Sequence, residues 1–258
     1  MMMKDKVVVI TGASSGIGAL TAKLLSEQGA IPILIARSQD KLEAVANQLS
    51  GQHELIVMDV TKQEQVQNVM NDIIHKYGQI DVLLNNAGYG KFESILDMSI
   101  EHYSDMMDVN YMGTVRCTKA VLSHMLERGE GHIVNVASIA AKIGTAKSTA
   151  YTATKHAVYG FSNSLRQELR GTGITVSTVN PGPIDTPFFE LADPTGGYVN
   201  NIRWFMMKPD LVASKMVKLM DKKQEEINLP WLAAVGIWFY QLCPRFADKL
   251  TYRMMNKK

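Results

Sequence analysis

Tyr151 and Lys155 stand four residues apart. On a helix that spacing puts both side chains on one face, one turn apart. An unperturbed phenol titrates near ~10 and is a poor acid or base at neutral pH. A neighbouring ammonium favours the phenolate and lowers that value, and proton transfer works best when the pKa lies near the operating pH. The pair is therefore a candidate proton donor and acceptor. Alone the spacing says little, because Tyr and Lys are common at this separation on solvated helices. The elements that present it, and the groups around it, decide.

The chain has 258 residues, 46% hydrophobic and 20% charged, enough for one large α/β domain with a substantial core. A formal net charge of +2 gives no reason to expect nucleic-acid binding. Cys117 and Cys243 are far apart and build neither a disulfide framework nor a zinc site, which fits a reducing compartment. The six histidines show no ligand spacing, so no metal is expected. A strand-like run begins within a few residues of Met1, which leaves no room for a secretory signal, and a cytoplasmic location is expected.

The elements that must hold the pair alternate. Lys6–Thr11 is a β-branched run with almost no polarity, as in a strand covered on both faces. Gly12-Ala-Ser-Ser-Gly16-Ile-Gly18 follows at once, then a helical pattern to about Gln28. Further strands are expected at Ile31–Ala36, Glu54–Asp59, Asp81–Asn85, His132–Ala137 and Ile174–Val179, with a last short one at Glu226–Leu229. Helices are expected at Gln39–Leu49, Lys62–Tyr77, Ile100–Arg128, Ala150–Arg170 and Pro209–Asp221. Repeated βα units predict a doubly wound parallel sheet with helices on both faces, a three-layer Rossmann fold in one domain. The pair then lies on the Ala150–Arg170 helix, after the loop that leaves the fifth strand.

Strand, glycine-rich turn, helix is the layout that aims backbone N–H groups at a phosphate, so a dinucleotide site is expected at Gly12–Gly18. The cofactor's ribose is read at the end of the second strand, where an acid bonds a 2′-hydroxyl and an Arg accepts a 2′-phosphate. Here the strand ends Ala36-Arg37-Ser38, without a carboxylate. Arg37 offers a planar fork suited to phosphate, which favours NADP(H) over NAD(H).

Thr11–Gly18, Asn85-Asn-Ala-Gly88, Asn110, Ser138, Tyr151-x3-Lys155 and Pro181-Gly-Pro-Ile-Asp-Thr186 follow one another in the order and spacing of the short-chain dehydrogenase/reductase family. The chain resembles that family strongly from about Lys4 to Thr186 and loosely beyond. The resemblance implies hydride transfer between a nicotinamide cofactor and a carbonyl or secondary alcohol. It makes Tyr151 the proton donor or acceptor, with Lys155 lowering its pKa and binding the nicotinamide ribose. Ser138 would bond the substrate oxygen, and Asn110 would hold a water linking Lys155 to solvent. Gly12, Ser14, Ser15, Gly16, Ile17 and Gly18 would meet the cofactor phosphates and ribose. Asp59 and Val60 would flank the adenine, and Asn86, Ala87 and Gly88 the adenosine ribose and site floor. Pro181, Gly182, Ile184 and Thr186 would hold the carboxamide end. Some NADP-using relatives carry a basic residue where this chain has Ser15, which leaves the 2′-phosphate mostly to Arg37. The family also implies a homodimer or homotetramer formed through the long helices at Ile100–Arg128 and Ala150–Arg170.

Beyond Thr186 the motifs stop. Residues 187–208 hold Phe188, Phe189, Leu191, Tyr198, Trp204, Phe205, Met206 and Met207, and are expected to form a lid favouring a hydrophobic substrate. Ile227–Pro244 has no charged residue. A buried helix over the pocket or a subunit contact is the first expectation for it, and association with a membrane surface the second. The basic tail Lys249–Lys258 suits such a surface and is equally an ordinary solvated end. Two other functions stay open. One is a sensor of the NADPH/NADP balance without turnover, although nothing of the catalytic set is missing. The other is a membrane-associated lipid or steroid reductase.

Overall fold

The computed structural model describes residues 3–246 and 249, so the expected basic tail lies, apart from Lys249, outside the described residues. Seven strands form one parallel sheet: β1 Val7–Thr11, β2 Ile31–Ala36, β3 Glu54–Val57, β4 Val82–Asn85, β5 Gly131–Val136, β6 Ile174–Pro181 and β7 Glu226–Leu229. Their order across the sheet is β3-β2-β1-β4-β5-β6-β7. The chain winds outward from β1 to β3, then returns to pair β4 with β1 and winds the other way. Between β1 and β4 the connections leave in opposite directions, and a cleft opens at the carboxyl ends of the strands.

Alternate strand residues feed two cores, because successive side chains point to opposite faces. Val8, Ile10, Leu34 and Leu84 pack with Leu25, Leu42 and Met216, which belong to α1 (Gly16–Glu27), α2 (Gln39–Ala46) and α9 (Pro209–Lys222). Val7, Val9, Ile33 and Leu83 pack on the other face with Met70, Val121 and Leu165 of α3 (Gln63–Tyr77), α5 (Gly113–Arg128) and α6 (Thr149–Glu168). The doubly wound, three-layer arrangement is the one the βα alternation predicts.

Several expected boundaries move by one to three residues: α2 ends at Ala46 rather than Leu49, α6 spans Thr149–Glu168 rather than Ala150–Arg170, and β6 runs on to Pro181 rather than Val179. The third strand leaves the ladder at Val57, because the Asp59 N–H donates to Gln65 Oε1 (2.9 Å) instead of a neighbouring strand. The helix expected over Ile100–Arg128 is helical throughout but not uniform. After α4 (Ile100–Met107) comes one π-helical turn, Asp108–Met112, before α5. The expected lid contains two short helices, α7 (Phe188–Ala192) and α8 (Gly197–Ile202). The last helix, α10, spans Trp231–Leu242.

A buried polar chain ties α6 to the sheet. Asn85 Nδ2 donates to Asn135 Oδ1 (2.8 Å) and to Thr118 Oγ1 (3.1 Å), and Asn135 Nδ2 donates to Ser162 Oγ (2.8 Å). These buried bonds, which leave only Asn85 Oδ1 of the two amides without a partner, fix one relative placement of β4, β5 and the helix bearing Tyr151.

His132, on β5, is buried with Nε2 2.7 Å from Ser177 Oγ. Burial, aided by the Lys223 charge, pushes its pKa down to about 4. Its folded pKa lies below the unfolded value of about 6.5, so the unfolded chain binds more protons between the two, and stability is lost as pH falls through that window. From pH 7 to pH 5 this one residue is expected to cost about 2 kcal/mol. Urea denaturation of the wild type and His132→Gln at both pH values checks it: the loss should be larger in the wild type by that amount. Equal losses would show that the imidazole is not the group responsible.

Candidate active site

The cleft holds a cavity of about 950 Å³. It is built from the carboxyl ends of six strands and from the helices beside them. The β1 turn brings Gly12, Ser14, Ser15, Gly16 and Ile17; the β2 and β3 ends bring Arg37, Asp59 and Val60. The β4 end brings Asn86, Ala87 and Gly88, the β5 end Ser138, and the β6 end Pro181, Gly182, Ile184 and Thr186. Tyr151 and Lys155 reach it from α6. Of the expected residues, Gly18 and Asn110 do not line it.

Gly18 works from behind. A Cβ there would stand 2.5 Å from Asn86 Nδ2 and 2.6 Å from the Gly12 carbonyl oxygen, so only glycine lets α1 pack this close to the turn. Asn86 also has a structural duty: Nδ2 donates to the carbonyls of Thr11 (3.1 Å) and Gly12 (3.0 Å). The Thr11 hydroxyl accepts from the amides of Asn86 (3.0 Å) and Ala87 (3.1 Å). The two turns are thus latched face to face across the switch point.

The same turn suits a phosphate. The first amides of any α-helix have no intrahelical acceptor. Ser15 caps α1 without a side-chain hydrogen bond, and no acidic residue occupies its first turn. The helix end therefore keeps its partial positive charge toward the cavity, where an anion is favoured. At the β2 end Arg37 is exposed and forms no salt bridge among the described residues. Ser38, the N-cap of α2, has no capping bond from its side chain, and Lys41 joins it on the cavity wall. Lys41 was not foreseen from sequence; its position one helical turn beyond Arg37 was the available signal. Asp59 accepts from the Thr61 amide and hydroxyl (both 2.9 Å). Partial burial works against its charge, but the Thr61 bonds and the Arg37 and Lys62 charges prevail and hold its pKa below the usual carboxylate range. The residues present fit a dinucleotide with an anion at each of these two positions.

Asn110 lies in the π-helical turn, buried, and does not face the cavity. Its Oδ1 accepts from the Tyr89 amide (2.9 Å), and its Nδ2 donates to the Tyr89 carbonyl (2.9 Å) and Thr154 Oγ1 (3.0 Å). The side chain thereby locks the loop after Gly88 to α6. A Cβ on Gly88 would stand 2.9 Å from Asn110 Oδ1 and 3.7 Å from Lys155 Nζ, so Gly88 separates the two groups without filling the space.

Lys155 is buried; its ammonium donates to the Val136 carbonyl (2.8 Å) and lies 5.8 Å from the centre of the Tyr151 ring. Burial pushes its pKa down to about 8. Tyr151 does not show the lowered value expected from its partner. Burial pushes the phenol up to about 12, a hydrogen bond with Ser138 works the other way, and Tyr198 adds to the rise. The reason is dielectric: removing the phenolate from water costs more than an ammonium several ångströms away returns. Ser138 Oγ accepts from the Ala140 amide (3.0 Å) and donates to the Pro181 carbonyl at a long 3.3 Å. Its proton is thus weakly held and available to another oxygen. Together these groups can hold a proton at Tyr151 beside a cation, with a hydroxyl to polarise an oxygen.

Aromatic residues wall the phenol. Phe92 meets the Tyr151 ring at 6.0 Å between centroids and Phe188 at 5.6 Å, and Tyr198 packs on Phe92 at 5.2 Å. Phe92 escaped the sequence reading, although it stands only four residues after Gly88. From α10, Gly236, Ile237, Phe239 and Tyr240 complete the wall.

A family model described as short chain dehydrogenase matches residues 6–195. The chain belongs to the short-chain dehydrogenase family. This short-chain dehydrogenase is 36% identical over 228 residues to an oxidoreductase of Staphylococcus aureus (strain N315), which covers 88% of this chain and 96% of that relative. A crystal structure of a short-chain dehydrogenase from Streptomyces avermitilis matches it with a TM-score of 0.82 at 28% identity, covering 96% of this chain and 98% of that one. A metagenomic short-chain oxidoreductase in complex with NADP matches with a TM-score of 0.76 at 28% identity, covering 89% and 98%. Like its family, this short-chain dehydrogenase is an oxidoreductase that uses a nicotinamide cofactor on small-molecule substrates.

Proposed function

We propose that this enzyme transfers a hydride between NADP(H) and an apolar carbonyl or secondary alcohol, with Tyr151 as general acid and base. The observation that carries the reading is the meeting of Tyr151, Lys155 and Ser138 in one cavity with the glycine turn. A nicotinamide cofactor, when bound, supplies or accepts the hydride. The α1 N-terminus, Ser14 and Ser15 would hold its phosphates, and Lys155 its nicotinamide ribose. In reduction Ser138 polarises the carbonyl oxygen and Tyr151 gives that oxygen its proton. The raised phenol pKa keeps the proton on Tyr151 until an oxygen takes it. In oxidation the roles reverse. Asn110 acts as a positioning residue through Thr154 and the Tyr89 backbone. The aromatic wall of Phe92, Phe188 and Tyr198 favours an apolar substrate, and residues 187–208 cover it. Turnover of a ketone, aldehyde and alcohol panel with NADPH and NADH in parallel tests the reading; no turnover with any member would overturn it.

Arg37, with Ser38 and Lys41 beside it, supports NADP(H) over NAD(H), and the NADP-bound metagenomic relative points the same way. A charge-assisted bond to phosphate contributes about 1.5–3 kcal/mol. Arg37→Asp is therefore expected to shift the NADPH-to-NADH ratio of kcat/KM by roughly 10- to 100-fold toward NADH. An unmoved ratio would mean that another group reads the 2′ position.

A further inference from the structure

The first expectation for α10 is a buried helix over the pocket or a subunit contact; it does line the cavity, yet of its described side chains only Ile237 is buried. Its described apolar residues lie on two sides. Ile237, Phe239 and Tyr240 reach the cavity wall, Phe239 while still half exposed. Trp231, Val235, Trp238 and Leu242 follow one another at helical spacing on the other side, and all four are exposed, Trp231 at 69% and Trp238 at 64%. Leu232 flanks the stripe and Phe246 extends it past the helix, both exposed. No charged residue interrupts positions 227–244. Contiguous exposed apolar surface of this kind marks an interaction site.

We propose that this outer face of α10 docks on an anionic lipid surface, with the helix lying in the plane of the interface. Its length excludes spanning. Twelve residues reach about 18 Å against a hydrocarbon core of about 30 Å, and no helix among the described residues is long and apolar enough to cross a membrane. Its composition suits the boundary layer, where the amphipathic rings of Trp and Tyr gather. Charge decides between lipid and protein. Residues 245–258 carry Arg245, Lys249, Arg253, Lys257 and Lys258 against Asp248 alone, five positive and one negative, a net +4. Such a cluster next to an apolar stripe is drawn to anionic headgroups. A second copy fits worse. A two-fold contact sets the same patch against itself, so Arg245 and Lys249, the described cations that follow the helix, would be set toward their own copies. Because the inner side walls the cavity, docking would bring the substrate site against the lipid surface. The proposal rests on the exposed face and on the positive charge that follows it in sequence, and does not depend on the cofactor or the reaction.

The test is co-sedimentation of the full chain with phosphatidylcholine vesicles, with and without about 30% phosphatidylglycerol. Binding is expected to be about ten-fold greater on the anionic vesicles and to weaken in about 0.5 M salt. Trp231→Ser with Trp238→Ser, both outside the cavity wall, should lower it a further ten-fold or so while the melting temperature and the mass in solution stay unchanged. Quenching of wild-type tryptophan fluorescence by brominated phosphatidylglycerol gives a second reading should that variant not fold. Absence of binding to anionic vesicles, equal binding by the double variant, or no quenching would each overturn the proposal. So would a wild-type dimer that the same substitutions split, which would assign the face to a second copy.

Discussion

Tyr151→Phe is expected to lower kcat by about 10³-fold while leaving cofactor affinity within a few-fold of wild type. The substitution removes one oxygen and keeps the ring, which Phe92 and Phe188 hold at 6.0 and 5.6 Å. Packing is thus retained and the proton is lost. The Lys155 ammonium is not placed to stand in: it is anchored on the Val136 carbonyl at 2.8 Å and lies 5.8 Å from the centre of the Tyr151 ring. Ser138 cannot either: its hydroxyl polarises an oxygen but has no partner placed to replenish its proton. Nucleotide titration by fluorescence, beside steady-state kinetics on whichever carbonyl the panel identifies, separates binding from chemistry. Wild-type kcat in the variant would remove Tyr151 from the proton path, whereas a parallel loss of cofactor affinity would show that the hydroxyl holds the nucleotide.

Gly12→Ala is expected to cost about 3 kcal/mol of stability and at least about 100-fold in cofactor affinity. Gly12 has φ +66, in the left-handed region where a side chain is strained. A Cβ would also stand 2.8 Å from the Ala87 Cα, a contact with backbone that no rotamer relieves. The Thr11–Asn86 latch would have to open, and with it the alignment of the two turns that face the phosphates. Chemical denaturation and nucleotide titration read the two losses separately. A variant of wild-type stability would mean that the turn relaxes more freely than its latch implies.

The sheet and the site positions were legible because each is encoded locally. Val7–Ile10 and Ile33–Ile35 are apolar at successive positions, as a strand covered on both faces requires. Gly12, Gly16 and Gly18 stand where a turn needs them, and Tyr151 and Lys155 share a helical face by spacing alone. What escaped depends on the environment. The direction of the Tyr151 shift is set by burial, which spacing does not express. Phe92 reaches the phenol only because the Phe92 amide is bonded to the Ala192 carbonyl (2.8 Å), drawing two distant loops together. The apolar run at 227–244 announced a surface that needs a cover, but not whether the cover is the rest of the chain. The π-helical turn left no mark, since i→i+5 bonding has no residue signature of its own.

That turn has a consequence for how the long helical region is read by its neighbours. A π turn takes in one residue more than an α turn, and each residue of an α-helix advances the azimuth by about 100°. Asp108–Met112 therefore acts as a phase shifter between two otherwise regular stretches. Upstream, Met106 of α4 is aimed at Ala150 on α6; downstream, Cys117 and Val121 of α5 are aimed beneath the sheet. One uninterrupted helix would satisfy only one of these bearings. Shortening the turn by a single residue would leave every amino acid around it unchanged and still dial one half out of alignment with its partner.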